Sequence, residues 1–192
     1  MHPGFKPMEA ASTACLLDAA RVEGLLAILR SLGVEPRPLY TGPSAGQLAA
    51  VAPYLVPCSA GSPFNQWFFQ TGWGRGLGVA VVSPASMEEL YSHFRQFLLV
   101  LDEAGKRLYF RFYDPRVLRI FLPTCDADQL RSFFGPVSAF LVEDEEPRRA
   151  LRFALAGGDL VTETIELSRE PAAALPELPS PAQPEVGWKG SR

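Results

Sequence analysis

One stretch limits the fold more than any other: Lys106 to Pro123, reading KRLYFRFYDPRVLRIFLP. Its first half alternates, with Leu108, Phe110 and Phe112 on one side and Tyr109, Arg111 and Tyr113 on the other. That is the period of a β-strand packed on one face and partly covered on the other, and it predicts a central strand. Asp114-Pro115 then ends the strand, because Pro115 brings no N–H to a ladder and suits the first position of a helix whose open amides Asp114 can cap. Val117, Leu118, Ile120 and Phe121 continue as a short apolar helix. Arg111 and Arg116 flank the one acid, Asp114, which points to a charge-assisted pair locking the strand-to-helix corner. The alternative is a corner that meets a partner.

Composition narrows the class. The 192 residues are 47% apolar and 20% charged, enough to bury the core of one domain followed by a tail. A formal net charge of −3 gives no electrostatic case for nucleic acid or an anionic membrane surface. Cys15, Cys58 and Cys125 lie far apart without paired spacing, the usage of reduced thiols in a cytoplasmic protein. No run approaches the roughly 20 apolar residues of a transmembrane helix. The opening MHPGFKPMEAAST lacks the basic-then-apolar order of a signal peptide. The expectation is a cytoplasmic protein with no membrane or nucleic-acid partner.

Residues 1–12 read as a flexible lead-in to a single α/β domain spanning 13–168. Thr13 to Leu17 is a buried first strand ended by Asp18, and Val22, Leu25, Leu26, Leu29 and Leu32 fall at helical spacing over Ala19 to Leu32, with Gly33 as the left-handed stop. Prolines and glycines leave a short strand at Leu39-Tyr40 and a helical turn at Ala45 to Val51. Pro53 to Cys58 reads as an edge strand or extended segment. Ser62-Pro63 opens a helix to Thr71, which the Gly72-Trp73-Gly74-Arg75-Gly76 loop ends. Leu77 to Val82 is a buried strand.

Ser86 and Glu89 form a capping box, with Ser83-Pro84 as a competing start. The helix that follows carries Leu90, Phe94, Phe97, Leu98 and Leu101 on one stripe. Asp102 to Gly105 turns the chain into the central strand. Asp126 caps a helix Ala127 to Phe134 that stops at Gly135-Pro136. Val137 to Val142 alternates as a strand, and Glu143-Asp144-Glu145-Glu146 reads as a solvated turn. Gly157-Gly158 divides a C-terminal β-hairpin. From 169 to 192 prolines predominate, the composition of a disordered or extended tail. The fold class is therefore α/β, a single domain with a mixed β-sheet and helices packed on it.

Chemistry tested along the chain finds little to build on. His2 and His93 are the only histidines and share no spacing with cysteine or carboxylate, so neither metal nor cofactor is expected. A cysteine nucleophile would have only His93 as base. GWGRGLG follows a helix rather than a strand and does not match a phosphate-binding GxGxxG loop. KRLYFRFY lacks the internal glycines of RNA-binding sheets. Adjacent acids such as Glu88-Glu89 read as solvated faces rather than an acid–base pair.

LLDAAR (16–21), APYLV (52–56), the Gly72-Trp73-Gly74 loop, SMEELYSHFRQFLLV, RFYDPRVLR (111–119) and FFGPV (133–137) occur in that order. In this the chain resembles the domain-of-unknown-function 4123 family over about residues 14 to 167. The resemblance implies an adaptor chaperone of bacterial type VI secretion, which binds a toxic effector in the cytoplasm and promotes its loading onto the VgrG spike protein. It implies no enzyme. Tyr, Trp and Arg are enriched at interface hot spots, so Trp73, Arg75, Tyr113, Asp114 and Arg116 are the candidate partner-binding residues, expected near one surface. For Asp114 and Arg116 a packed, ion-paired corner competes with that role. The competing class is a small hydrolytic enzyme using Cys15 or Asp18 at the end of the first strand, where α/β sites often sit.

Overall fold

Cys15, Leu16 and Leu17 are fully buried because β1 (Ala14–Asp18) runs through the middle of the molecule. A strand covered on both faces shows an unbroken apolar run rather than alternation. The remaining strands, in chain order, are β2 (Arg37–Pro38), β3 (Pro53–Pro57), β4 (Gly78–Val82), β5 (Leu99–Leu101), β6 (Arg107–Tyr109), β7 (Ala139–Glu143), β8 (Arg149–Ala156) and β9 (Asp159–Glu166). Seven strands form one sheet in the order β2-β3-β1-β4-β7-β8-β9, and β5 and β6 pair separately. Every pairing is antiparallel. The computed structural model describes residues 13–41, 49–101, 104–146 and 148–167. The predicted lead-in at 1–12 and the Pro-rich tail at 169–192 lie outside them, as does the start of the turn predicted at Ala45 to Val51, of which Ala49–Val51 is a 3-10 turn.

Five α-helices among the described residues cover the two faces of the sheet: α1 (Leu25–Ser31), α2 (Pro63–Trp67), α3 (Met87–Arg95), α4 (Pro115–Phe121) and α5 (Ala127–Phe134). On one face, Cys15, Leu17, Val56 and Ala80 pack with Leu25 and Leu29 of α1, Phe64 of α2, and Phe68, Phe69 and Trp73 beyond it. On the other, Leu16, Val79, Val81 and Phe140 meet Phe94 of α3, Leu118 of α4, and Phe133 and Phe134 of α5. The α/β class and the C-terminal β8–β9 hairpin are as the pattern predicts.

Local chemistry sets most helix ends. Ser62, Asp114 and Asp126 cap α2, α4 and α5, and Ser86 with Glu89 forms the capping box of α3. The helix predicted over Ala19 to Leu32 is interrupted: Asp18 caps a 3-10 turn at Ala19–Arg21, and Gly24 takes φ +71 before α1 begins. After α2 the chain widens into a π-type turn over Phe68–Gly72, within the helix predicted to Thr71. The strand predicted at Leu39-Tyr40 lies two residues earlier, while Leu39 is buried and donates its N–H to Pro53 O at 2.8 Å.

Three expectations are corrected. Lys106 to Tyr113 is not the central strand: β6 covers three residues, and Arg111 to Asp114 is a tight turn closed by the Asp114 N–H on Arg111 O at 2.9 Å. Phe112 and Tyr113 are adjacent and both buried, which a half-covered strand cannot achieve. Leu101 does not extend the α3 stripe, because α3 ends at Arg95 and Leu101 stands on β5, 67% exposed. Glu143 does not begin a solvated turn; it ends β7 at 6% exposure.

Candidate functional site

Antiparallel register brings the end of β1, the start of β4 and the end of β7 together at one end of three adjacent central strands. Polar groups collect there. The Asp18 carboxylate is 1% exposed, accepts from the Ala20 N–H at 3.1 Å, and accepts from Arg111 Nη2 at 2.5 Å. Asp114, equally buried, takes the Arg116 N–H at 3.0 Å and the Arg116 guanidinium through Nε and Nη2 at 2.9 and 2.6 Å. Arg21 and Arg111 approach its Oδ2 at 3.7 and 3.8 Å. Burial pushes the Asp114 carboxyl above its ordinary value, and Arg21 and Arg111 oppose that shift.

A second set of contacts ties in the glycine loop. Glu143 Oε2 accepts the Gly76 N–H at 2.9 Å, and the amides of Gly74 and Arg75 also face the carboxylate. The Glu143 carbonyl accepts from Arg119 of α4 at 2.6 Å. Gly76 stands at φ +67 with its Cα beside the Arg21 guanidinium, which a Cβ would approach to 3.5 Å. Three acids and four arginines thus join β1, β7, α4 and the loop. Nearby, the Tyr113 and Tyr40 hydroxyls share a hydrogen bond, and burial raises the pKa of both.

The five residues predicted to share one surface divide. Asp114 and Arg116 are paired in the corner, with Tyr113 buried beside them. Arg75 is exposed on the loop whose amides hold Glu143. Trp73 is buried on the opposite face of the sheet, stacked on Phe69 with centroids 5.3 Å apart and edge-on to Phe68. Trp73 and Tyr113 therefore present no open surface, because large rings gain more by filling the core, and Asp114 is covered by Arg21, Arg111 and Arg116. The Cys15 thiol is fully buried and held well above its ordinary pKa by burial and by the neighbouring Cys58. Among the described residues no three His, Cys, Asp or Glu side chains are grouped to hold a metal ion, and no helix is long and apolar enough to cross a membrane.

A cluster of exposed apolar residues lies immediately before the corner. β5 and β6 form a two-stranded ribbon, with Leu99 opposite Tyr109, Val100 opposite Leu108 and Leu101 opposite Arg107. Leu99, Leu101 and Tyr109 share one face at 50%, 67% and 64% exposure, and Val100 and Leu108 are exposed on the other. The ribbon's base is fixed: Phe110 donates its N–H to Leu98 O at 3.1 Å, the Phe110 and Phe121 rings lie 4.6 Å apart, and Tyr109 stands edge-on to Tyr40 at 5.8 Å. An apolar patch open on both faces is the kind of surface through which proteins meet partners. Sequence reasoning passed over it because the alternation of 108, 110 and 112 fits a longer strand. The available signal was two short β-prone segments, LVL and RLY, on either side of the sequence DEAG.

A family model, described as domain of unknown function (DUF4123), matches residues 15–132, which include the ribbon, the corner and the glycine loop. No curated protein and no solved structure matches the chain.

Proposed function

The chain belongs to the DUF4123 family, and on that premise we propose that it is an adaptor chaperone that binds a type VI secretion effector in the bacterial cytoplasm and promotes its loading onto the VgrG spike. The observation that carries this reading is the β5–β6 ribbon, whose exposed Leu99, Val100, Leu101, Leu108 and Tyr109 project from a base held by buried aromatic and ionic contacts. A rigid platform that displays apolar side chains suits capture of another protein rather than chemistry on a small molecule. The hydrolytic alternative at Cys15 and Asp18 is less well supported. Its thiol is buried, which raises its pKa, and both Asp18 oxygens already accept hydrogen bonds.

The test is affinity purification of the tagged chain from its own cytoplasm at moderate and high salt, with mass spectrometry of the material retained. A spike protein and one toxin-like protein in near-equal amounts are expected. Recovery of the chain alone at both salt levels would overturn the reading.

A further inference from the structure

The ribbon's register says which backbone groups face outward. The Phe110 N–H bonds Leu98 O, so Leu98 and Phe110 are a hydrogen-bonded pair, and pairs alternate along an antiparallel ladder. Val100 with Leu108 is the next hydrogen-bonded pair. Leu99 with Tyr109 and Leu101 with Arg107 lie between, and their N–H and C=O groups point away from the partner strand. Among the described residues the ribbon pairs with no further strand. The outer edge of β5 therefore offers the amides and carbonyls of Leu99 and Leu101, with both leucine side chains on one face. The edge of β6 is less open, since Tyr109 is engaged by Tyr40.

Arg107 stands on that same face, opposite Leu101. It is exposed and pairs with no carboxylate among the described residues. Two strand spacings, roughly 9–10 Å, separate it from a strand laid along the far side of β5, a gap that an arginine and a glutamate side chain close together.

We infer that β5 is a landing edge at which an extended segment of the cargo protein adds as a third strand, its apolar residues over Leu99 and Leu101 and a carboxylate against Arg107. This rests on the adaptor reading for the identity of the partner. Strand addition draws affinity from main-chain hydrogen bonds and selectivity from alternate side chains. Arg107 on that face selects an acidic segment.

The test uses the full chain labelled with nitrogen-15 and two synthetic peptides, Val-Thr-Val-Thr-Glu-Thr-Val-Thr and its counterpart with lysine in place of glutamate. Amide exchange is read by NMR. In the unliganded protein the Leu99 and Leu101 amides should exchange fast and that of Val100 slowly. The glutamate peptide should slow Leu99 and Leu101 at least tenfold and outcompete the lysine peptide, and Arg107→Glu should invert that order. Leu101→Pro removes an outward N–H without touching the inner ladder, so it should abolish the effect while the fold persists. Peptides that leave both amides unprotected would overturn the inference, as would a preference indifferent to Arg107→Glu. Protection in the peptide-free protein that grows with its concentration would also overturn it, making a second copy the occupant. Purification with the Leu101→Pro variant separates the two claims. Cargo retained as by the unaltered chain sinks the landing edge alone, whereas β5 protection by the peptide with no cargo from the cytoplasm sinks the adaptor reading alone.

Discussion

Arg111→Ala tests whether the ionic corner holds the ribbon in place. Arg111 directly follows the ribbon and lies 2.5 Å from Asp18, 93 residues away in sequence, with Asp114 at 3.8 Å. Removing one partner of a fully buried ion pair costs about 3–5 kcal/mol, whereas an exposed pair contributes about 0–1 kcal/mol. The Asp18 carboxylate is buried but the Arg111 side chain is 45% exposed, so water screens one end of the contact. Asp114 keeps Arg116 and Arg21, which leaves Asp18 as the group stripped of its cation. The expected loss is about 2 kcal/mol, between the two limits. Arg111→Lys keeps the charge without the planar fork and should lose about half of that. Urea unfolding of Arg111→Ala, Asp18→Asn and the double variant measures the coupling, expected at about 1 kcal/mol or more because the asparagine no longer needs a cation. A coupling below about 0.3 kcal/mol would refute the argument, since contacting residues normally exceed it.

Other substitutions probe separate parts. Burial raises the Glu143 carboxyl pKa against the pull of the Gly76, Gly74 and Arg75 amides. The folded state then holds that proton more tightly than the unfolded chain, so this group favours folding below the ordinary glutamate range, and the benefit is lost as pH rises through the folded value. Glu143→Gln should therefore gain stability relative to the unaltered chain as pH rises above the ordinary glutamate range, and urea titrations showing the reverse slope would contradict this. Gly78→Ala would place a Cβ 2.0 Å from Leu16 O, between β1 and β4. It should cost more than about 4 kcal/mol, seen as loss of folded protein. By contrast, Gly24→Ala meets no atom within 4 Å but holds φ +71, so thermal unfolding should show a loss of about 1 kcal/mol from strain alone. Brief labelling of the native protein with a thiol reagent should modify Cys125 and spare the buried Cys15 and Cys58, and an intact mass carrying more than one adduct would contradict that packing.

What the sequence made legible is what short-range chemistry decides. The Ser86–Glu89 box, the Asp126 and Asp114 caps and the Gly157-Gly158 hairpin each rest on residues a few positions apart, and each stands where the pattern places it. The corner was half legible: Asp114 with Arg116 is a neighbour pair, but Asp18 with Arg111 and Gly76 with Glu143 join segments that only the sheet brings together. The alternation in KRLYFRFY misled because period two cannot distinguish a long strand from a short one followed by an inward turn. Phe112 lies 5.7 Å from Phe94 and 5.9 Å from Phe133, rings of α3 and α5, and that packing ends the strand. Glu143 was missed for a similar reason: an acidic run reads as solvated until a loop of open amides closes on its first member.

The same contacts explain why the exposed ribbon and the buried corner sit side by side. A two-stranded ribbon alone is marginal in water, and two apolar faces make it a hazard unless its position is imposed from outside. Here the imposition comes within a few residues of Tyr109: Phe110 packs on Phe121, Arg111 holds Asp18, and Asp114 starts α4. Each anchor restricts the ribbon's base before any partner arrives, so less conformational freedom is left to lose on binding. An anchored edge also presents its outward amides at fixed spacing, which strand addition requires and a mobile loop would not provide. The stretch from Lys106 to Arg116 thus divides its residues by burial, one end pairing with the exposed β5 and the other fixing the ribbon's direction. On the proposed adaptor reading, loosening the corner with Arg111→Ala should therefore weaken cargo retention, although the corner's acids are buried.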